Sequence, residues 1–435
     1  MRTITDRKTL VIIGAGSAQF TEVLVQDMIA DGGEWELRLV DIDPESLDIA
    51  RRLSQRMVEA HDAPITVRAA EDRRELLSGA DVVVVCIGVG GRRARERDVL
   101  VCRPFGIYHS SGDTYMPGGI SRALRTVPPL VDIANDVMTF CPDAIFINYS
   151  NPMSVNCRAI HKATSARVVG LCIGLKVVHD YLARFIDAPP EAVWSAAIGV
   201  NHLTWITELR YQGQDAWPLV RQKMVEKPDV VTQNPLSWDL FQAFGAFPAV
   251  FDFHVVEFFP GGHGQGGYYG HSVGVDALSF EARVEWIDRI FQRMTDKAYG
   301  RLPLTEEDEI GEPSQLIEIL RAVWDDTNRF YSVNLPNAGQ ASNLPLGAVL
   351  EGTTLVNGTG FHPISFGELP PGISAILQRV IGVQDLTVAA ALSGDRRLVL
   401  QAMLADGHVF TREQAETLTD ALLDAQREWL PNFYA

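Results

Sequence analysis

The stretch Lys8-Thr-Leu-Val-Ile-Ile-Gly-Ala-Gly-Ser17 decides the fold, because an apolar run passes directly into a glycine-rich turn. Residues 8–13 predict a buried parallel strand, and residues 20–31 predict the helix that follows the turn. Gly14 and Gly16 let the backbone turn tightly and approach a pyrophosphate, which then lies at a helix N-terminus. The stretch therefore predicts a Rossmann-type nucleotide-binding unit, with the turn through Ser17 as the cofactor contact.

The second strand predicts which nicotinamide nucleotide is bound. Residues 36–41 form this strand, and Asp41 at its end is placed to accept hydrogen bonds from an adenosine ribose, which favours NAD over NADP. Gln19 stands where the usual fingerprint has its third glycine, so the turn alone is a weak signal. The alternative is a structural glycine turn with a capping aspartate.

The alternation of strands and helices predicts the fold class. Strands alternate with helix-length segments over roughly the first 175 residues, which is typical of a doubly wound α/β sheet. We expect a Rossmann-type, doubly wound parallel sheet over residues 1–190, followed by an α+β substrate and oligomerisation domain over residues 191–435. The predicted strands are 8–13, 36–41, 65–69, 81–87, 144–148 and 167–172, and the predicted helices include 44–60 and segments near 281–298, 313–325, 388–404 and 412–430.

Composition and charge narrow the class of protein. Hydrophobic residues make up 46% of the chain and charged residues 21%, as in globular proteins. The net charge of −17 argues against nucleic acid or an anionic membrane as the main partner. The five cysteines are odd in number and form no C-x-x-C motif, which favours the reducing cytoplasm. We expect no signal peptide, and no stretch reaches the roughly 18 apolar residues that span a bilayer.

Cys172 and His202 form a candidate metal site, because each follows an apolar, strand-like run. A thiolate and an imidazole at two strand ends suit a soft or borderline divalent metal. Two protein ligands leave coordination positions open for the hydroxyl groups of a substrate. The alternative is a buried free cysteine and a histidine that only caps a turn.

Further polar side chains stand where ligands bind in open sheets. Asp113 lies in a glycine-rich loop, where it is either a contact to sugar hydroxyls or a turn residue. Asn151 follows a strand and points into the cleft at its carboxyl end, or belongs to a turn. Asp252, His254 and Glu257 flank aromatic residues, and apolar neighbours can raise the pKa of a carboxylate until it is a usable base.

Together these motifs resemble glycoside hydrolase family 4, the NAD- and metal-dependent glycosidases of the lactate/malate dehydrogenase-like superfamily. They follow the order of that family across nearly the whole chain, and they resemble its α-glucosidase, α-galactosidase and α-galacturonidase branches. The matching stretches are Gly14-Ala-Gly-Ser17, Gly112-Asp-Thr114, Pro117-Gly-Gly-Ile120, Arg122-Ala-Leu-Arg-Thr126, Asn148-Tyr-Ser-Asn-Pro-Met153, Gly170-Leu-Cys172, Asn201-His-Leu-Thr-Trp205, Asn334-Leu-Pro-Asn-Ala-Gly339, Asn343-Leu-Pro345 and Gly358-Thr-Gly-Phe-His-Pro363.

The resemblance implies roles for the candidate residues. Cys172 and His202 are the implied ligands of a divalent metal, usually manganese in this family. Asn151 is the implied substrate contact near the metal, Asp113 the contact to sugar hydroxyls and a catalytic residue, and His254 a further substrate contact.

The same resemblance implies a base and a set of cofactor contacts. Asp252 is the first candidate for the base, with His254 or Tyr268 as alternatives. The implied NAD contacts are Gly14, Gly16, Ser17, Asp41 and Asn148.

The implied reaction is the hydrolysis of a small glycoside, and this family is an exception to two-carboxylate glycoside hydrolysis. Hydride leaves C3 for NAD⁺, a base removes the C2 proton, the C1 group is eliminated, water adds, and NADH returns the hydride. Ile173 stands where relatives acting on unphosphorylated α-glycosides usually carry a histidine, and it cannot hydrogen-bond a sugar. We nevertheless expect an unphosphorylated, α-linked hexoside or uronide as substrate, and a homodimer or homotetramer.

Two other functions compete with this prediction. One is a metal-independent, NAD-dependent 2-hydroxy-acid dehydrogenase of the lactate/malate type. The stretch Gly262-His-Gly-Gln-Gly266 superficially resembles the catalytic histidine loop of that family. The other is a non-catalytic NAD and sugar sensor with a disabled metal site. Dependence on metal separates the dehydrogenase from the glycosidase, and cleavage of any glycoside excludes the sensor.

Overall fold

A computed structural model describes residues 7–260, 279–304 and 314–434. Its centre is one mixed sheet, which has 13 strands within these residues. In chain order, the strands are β1 (Lys8–Ile13), β2 (Trp35–Val40), β3 (Ile65–Ala70), β4 (Val82–Val85), β5 (Ile145–Asn148), β6 (Val168–Gly170), β7 (Val193–Val200), β8 (Leu203–Tyr211), β9 (Gln214–Asp215), β10 (Phe247–Ala249), β11 (Arg329–Pro336), β12 (Val349–Asn357) and β13 (Gly360–Pro363).

The first six strands form the predicted doubly wound sheet. They lie in the order β3-β2-β1-β4-β5-β6, and each neighbouring pair is parallel. This is the order of a dinucleotide-binding fold, in which ligands bind beyond the carboxyl ends of the strands. All four side chains of β4 are fully buried valines, as expected of a strand covered by helices on both faces.

Helices cover the sheet and connect its strands. In chain order, the helices of the described residues are α1 (Thr21–Asp31), α2 (Pro44–Ala60), α3 (Arg74–Leu77), α4 (Gly91–Leu100), α5 (Met116–Phe140), α6 (Met153–Ala163), α7 (Gly174–Phe185), α8 (Trp217–Glu226), α9 (Pro228–Val231), α10 (Pro235–Phe244), α11 (Phe251–Val255), α12 (Ser279–Ala298), α13 (Leu316–Trp324), α14 (Pro371–Ser393), α15 (Arg396–Asp406), α16 (Arg412–Ala425) and α17 (Pro431–Tyr434).

The second half is α+β, as predicted, and its strands extend the same sheet. β11 runs antiparallel to β6, and the order continues through β12, β7 and β8 to β10, with every pair antiparallel. β11 and β12 thus lie between β6 and β7, although they come later in the chain. The division into domains at residue 190 stays a prediction.

One predicted helix, near residues 388–404, is two helices in the structure. α14 ends at Gly394, whose φ of 70° is left-handed, and the side chain of Asp395 then caps α15 by accepting a hydrogen bond from the backbone N–H of Arg397. A glycine C-cap followed at once by an aspartate N-cap ends one helix and begins the next.

α14 is also a described helix whose length and apolar composition would suffice for a membrane span. Arg379 and Asp385 lie within it, however, and Asp385 accepts a 2.8 Å hydrogen bond from Arg158 on α6. α14 packs against α5, α6 and α15, and half of its apolar window is buried. These contacts are those of a core helix.

Candidate active site

The nucleotide turn requires both of its glycines. Gly14 has a left-handed φ of 92°, and a Cβ atom there would lie 2.9 Å from the backbone carbonyl of Cys86. At Gly16, a Cβ atom would lie 2.5 Å from Cβ of Ser46, while its N–H donates a 2.8 Å hydrogen bond to Oδ2 of Asp41. The turn is therefore packed against the ends of β2 and β4 by its bare backbone.

The predicted cofactor contacts around this turn are accessible. Gly14, Gly16, Ser17 and Asp41 are all partly exposed at the start of α1 and the end of β2. This cradle fits a dinucleotide, because the two glycines before α1 leave the backbone of the turn accessible to the phosphates. Direct contact between these residues and a cofactor stays a prediction.

Asn148 faces the protein interior instead. Its side chain is fully buried and donates hydrogen bonds to the carbonyl of Ser150 (3.0 Å) and to Sδ of Met153 (3.1 Å). Its Oδ1 accepts the backbone N–H of Ser150 at 3.1 Å. The side chain thus shapes the turn after β5, and the contact of Asn148 with the cofactor stays a prediction.

Three predicted site residues form a candidate metal-ligand group. The ligand atoms of Asp113, His202 and His254 all lie within 4.8 Å of one another. Oδ1 of Asp113 is 3.8 Å from Nδ1 of His202 and 3.7 Å from Nδ1 of His254, and the two imidazole centroids are 3.9 Å apart. A carboxylate with two imidazoles fits a divalent transition metal.

His202 stands at the tip of the hairpin between β7 and β8. Its φ of 68° is left-handed, which is uncommon for a residue with a side chain. Its Nδ1 lies 2.7 Å from the hydroxyl of Thr114, which donates its single proton to Oδ1 of Asp113 at 2.7 Å. Nδ1 of His202 must then carry a proton, which leaves the lone pair of Nε2 for a metal.

The loop that carries Asp113 is fixed by a buried carboxylate. Oε1 of Glu257 accepts the backbone N–H groups of Ser111 and Gly112, each at 2.8 Å. Glu257 follows His254 by one helical turn, so it joins the loop of one ligand to the helix of another. Burial, and then the neighbouring Asp113, raise the pKa of Glu257 to about 8.

The backbone of Gly118 and Gly119 is closely approached by neighbouring residues. A Cβ atom at Gly118 would lie 2.8 Å from Nε2 of His109, which accepts the N–H of Gly118 at 3.0 Å. A Cβ atom at Gly119 would lie 2.6 Å from the backbone of Thr114. The two glycines therefore let the ligand loop pack directly onto the first turn of α5.

Asn151 lies beside this group. Its Nδ2 donates a 3.4 Å hydrogen bond to Oδ2 of Asp113, and its carbonyl accepts one from Nε of Arg122 at 3.0 Å. The turn after β5 is thus joined to the ligand loop, in keeping with the predicted place of Asn151 near the metal.

The charges of the group suit metal binding. Burial acts to raise the pKa of Asp113, but the fields of His254 and His202 outweigh it, and the pKa lies below its ordinary value. Arg122 and Arg95 act in the same direction. Burial, and then His202, hold the pKa of His254 well below its usual range. The group therefore offers an anionic oxygen and a neutral imidazole.

Cys172 comes two residues after β6, at the carboxyl edge of the parallel strands. It is half-buried, and its Sγ accepts the N–H of Gly174 at 3.4 Å. Ile173, the predicted departure from relatives, lies between them and precedes α7. Cys172 is not among the three ligands that the described residues bring together, and its role as a metal ligand stays a prediction.

Asp252 has a structural task. Its Oδ1 accepts the N–H and the hydroxyl of Ser237 at 2.7 and 2.6 Å, and its Oδ2 accepts the N–H of Leu236 at 2.8 Å. Burial raises the pKa of Asp252, and these hydrogen bonds oppose that effect. The carboxylate thus anchors the start of α10, and its role as a base stays a prediction. Tyr268 and His263 lie outside the described residues.

Three residues of the site were not predicted in the roles that the structure gives them, namely Thr114, Glu257 and Glu351. Thr114 orients His202, and Glu257 holds the ligand loop. A glutamate inside the apolar strand run Val349-Leu-Glu-Gly-Thr-Thr354 was the available signal for Glu351.

Comparison with known proteins identifies the family. The model of family 4 glycosyl hydrolases matches residues 9–188, and that of their C-terminal domain matches residues 197–409. An α-galacturonidase of Thermoanaerobacterium saccharolyticum is 30% identical over 456 residues, which cover 97% of this chain and 96% of that protein.

Solved structures agree with this result. A Bacillus subtilis protein described as glucosidase lplD superposes with a TM-score of 0.86 at 27% identity, over 96% of this chain and 100% of the other. The 6-phospho-β-glucosidase of Thermotoga maritima, solved with manganese, NAD⁺ and glucose-6-phosphate, gives a TM-score of 0.81 at 21% identity, over 97% and 99% of the two chains. A Plasmodium falciparum malate dehydrogenase shares the fold more remotely, with a TM-score of 0.53 at 13% identity over 88% of this chain and 98% of that chain.

These matches confirm the Rossmann-type fold and the predicted glycosidase class, and the expected NAD and manganese agree with the ligands of the Thermotoga structure. They favour neither a plain 2-hydroxy-acid dehydrogenase nor a sensor, because both family models describe glycosyl hydrolases over nearly the whole chain. The chain therefore belongs to glycosyl hydrolase family 4.

Proposed function

We propose that this protein is an NAD- and manganese-dependent glycosidase that hydrolyses an unphosphorylated, α-linked uronide. The observation that carries the proposal is the group of Asp113, His202 and His254, which joins a carboxylate and two imidazoles beyond a dinucleotide-binding sheet. The resemblance to an α-galacturonidase over nearly the whole of both chains supports the same substrate class.

The donor set supports separate places for the two cofactors. Gly14, Gly16, Ser17 and Asp41 would hold NAD, and Cys172 and His202 would hold the metal, with the carboxylate of Asp113 and the imidazole of His254 beside His202. When bound, NAD⁺ would supply a hydride acceptor and the metal would supply Lewis-acid polarisation, which is the chemistry that C3 oxidation, C2 deprotonation, C1 elimination, water addition and re-reduction require.

The side chains of the protein divide the remaining tasks. Asp113 stays ionised and accepts hydrogen bonds from sugar hydroxyls, while Asn151 contacts the substrate beside it. His254 resists protonation, which makes it a better ligand or substrate contact than a base. We therefore keep Asp252 as the base, because burial raises its pKa and hydrogen bonds at catalytic groups often rearrange when substrate binds.

The charge around the group favours an acidic sugar. Arg122 and Arg95 act on the carboxylate of Asp113, and Arg283 and Arg95 act on His254, in a chain whose net charge is −17. Cations in a partly buried cleft attract a carboxylate at the sugar. Ile173 offers no hydrogen bond to a neutral hydroxyl, which is consistent with recognition by charge.

A panel of nitrophenyl glycosides tests the proposal. With NAD, Mn²⁺ and a reductant, we expect cleavage of the α-galacturonide to exceed that of the α-galactoside, the α-glucoside and 6-phosphoglucosides. Removal of NAD or Mn²⁺ should abolish it, and the product formed in heavy water should carry deuterium at C2. Turnover that needs neither cofactor, or a C2 position that stays fully protonated, would overturn the proposed reaction.

A pair of variants on α12 tests the substrate charge. Arg283→Gln should lower kcat/KM for the uronide about tenfold and leave the neutral galactoside nearly unchanged, since hydrogen bonds to charged groups contribute about 1.5–3 kcal/mol. Arg289→Gln, an exposed residue of the same helix, is the control. Equal losses on both substrates would contradict the uronide.

We also propose a cytoplasmic homodimer or homotetramer. No disulfide bond joins the cysteines of the described residues, which supports a reducing compartment. Light scattering after gel filtration would measure the oligomeric state, and a monomer would contradict this proposal.

A further inference from the structure

A buried glutamate lies beneath the hairpin that carries His202. Glu351 on β12 pairs with Gly199 on β7, and Gly199 pairs with Thr204 on β8. Side chains of directly paired residues share one face of the sheet. A Cβ atom at Gly199 would lie 2.3 Å from the carbonyl oxygen of Leu203 and 2.7 Å from Cα of Thr204, so β8 packs directly onto the bare backbone of this glycine.

This carboxylate gathers the hydrogen-bond donors of the hairpin tip. Oε2 of Glu351 accepts the hydroxyl of Thr204 at 2.6 Å and the side-chain amide of Asn201 at 3.4 Å. The backbone N–H of His202 also donates to this carboxylate. Oε1 accepts the hydroxyl of Ser332 at 3.4 Å, and Glu351 is 1% exposed.

The backbone at His202 needs such support. A left-handed φ of 68° costs a residue with a side chain about 1–2 kcal/mol. Neighbouring contacts must hold this conformation, because it would otherwise relax and turn the imidazole away from Asp113. His202 itself and the residues on either side of it in the hairpin, Asn201 and Thr204, all donate hydrogen bonds to Glu351.

We propose that Glu351 is the positioning residue for His202, and that it sets the affinity of the site for its metal ion. It touches neither substrate nor cofactor and acts only through the hairpin. This inference rests on the proposed function, in which His202 holds the metal. Groups that orient a metal ligand typically change metal affinity by about 10–100-fold when removed.

The test compares three variants. Glu351→Gln keeps the size of the side chain but presents an amide to the converging donors, and Thr204→Val removes the 2.6 Å hydrogen bond without altering the carboxylate. Ser332→Ala is the matched control, because it removes a hydrogen bond to the other oxygen, away from the hairpin. Each protein is titrated with Mn²⁺ alone by electron paramagnetic resonance, with NAD binding and Tm measured in parallel.

We expect the Mn²⁺ Kd to rise about tenfold in Glu351→Gln and about threefold in Thr204→Val. Ser332→Ala should bind Mn²⁺ as the wild type does, and NAD Kd should stay within twofold in all three. An unchanged Mn²⁺ Kd in Glu351→Gln overturns the inference. A parallel loss of NAD affinity overturns it too, because it would indicate a general structural role.

A second measurement separates the inference from the proposed function. In protein labelled with ¹⁵N-histidine, without metal, Glu351→Gln should shift the ring resonances of His202, assigned with His202→Gln, and leave those of the distant His61 unchanged. If the wild type fails to bind Mn²⁺, the proposed function fails, and the histidine spectra still decide whether Glu351 positions His202. Ring resonances that do not move overturn the inference.

Discussion

The nucleotide turn and the metal-ligand group belong to one sheet but are built in opposite ways. The turn consists of backbone, and its two glycines are required because neighbouring strands leave no space for a side chain. The metal group consists of side chains from a loop, a hairpin tip and a short helix that are far apart in the chain. A site made of backbone is encoded locally, whereas a site made of side chains depends on the packing of distant elements.

The largest difference between the two regions should appear in His202→Ala. We expect glycosidase activity to fall by about 10³-fold or more, equivalent to about 4 kcal/mol, because a metal ligand is lost. NAD affinity should not change, since the nucleotide turn makes no use of this hairpin. Titrations with Mn²⁺ and NAD beside activity assays measure both effects.

His362→Ala is the control for this variant, because His362 is exposed on β13. A matching loss of NAD affinity in His202→Ala would show that the two regions are not independent.

The second-largest expected effect is the loss of free energy of unfolding as pH rises. The pKa of Glu257 is raised to about 8, whereas an unfolded glutamate has an ordinary value near 4.5. Between these values the folded protein keeps a proton that the unfolded chain releases, so stability falls as pH rises. Without metal, the wild type should lose about 3 kcal/mol more than Glu257→Gln between pH 5 and 8.5.

Urea unfolding of both proteins at the two pH values measures this difference. The amide of the variant keeps an acceptor for Ser111 and Gly112 but does not titrate. Parallel pH profiles would mean that Glu257 is ionised throughout the range, and that the loop of Asp113 is held by charge.

Gly16→Val should have the opposite effect to His202→Ala, because it should weaken NAD binding and leave Mn²⁺ binding unchanged. The new side chain would collide with Ser46 and Asp41, and we expect NAD to bind about 100-fold more weakly, or about 2.7 kcal/mol. Mn²⁺ affinity should remain that of the wild type. Gly382→Ala on α14 is the control, because a Cβ atom there meets no other atom within 4 Å.

The smallest effect should come from Asp41→Asn. The amide oxygen can still accept the N–H of Gly16, but the charge that favours a ribose over its 2′-phosphate is lost. We expect NAD to bind about tenfold more weakly and its preference over NADP to shrink, as measured by fluorescence titration with both nucleotides. An unchanged preference would show that Asp41 serves only the turn.

The same contrast explains what the sequence could predict. The predicted strands of the parallel half agree with the structure to within two residues at each end, because continuous apolar runs end at glycine or polar residues. β11 and β12 were not predicted, since their place beside β6 depends on pairing with residues far away in the chain. The break between α14 and α15 was missed, although Gly394 followed by Asp395 is a recognisable C-cap and N-cap signal.

The site divides in a similar way. Asp113, Asn151 and His202 could be singled out because each follows a recognisable strand or glycine-rich loop. Asn148 and Asp252 occupy equally suggestive positions, and their side chains accept hydrogen bonds from backbone N–H groups inside the protein, so their functional roles stay predictions. The direction of a polar side chain at the end of a strand or helix depends on its neighbours in three dimensions. The local sequence does not show which residues these are.

The insertion of β11 and β12 between β6 and β7 has a consequence for synthesis on the ribosome. The nucleotide-binding half can complete its parallel strands once residue 170 has emerged, while the hairpin of His202 has no partner on its inner side. Only when residue 357 leaves the exit tunnel can the nascent chain bridge the two halves. Pairing of such high contact order is slow, so the hairpin that carries His202 gains its inner neighbour, β12, late in synthesis. A prematurely terminated chain would keep the nucleotide-binding strands but leave this hairpin without β12 beside it.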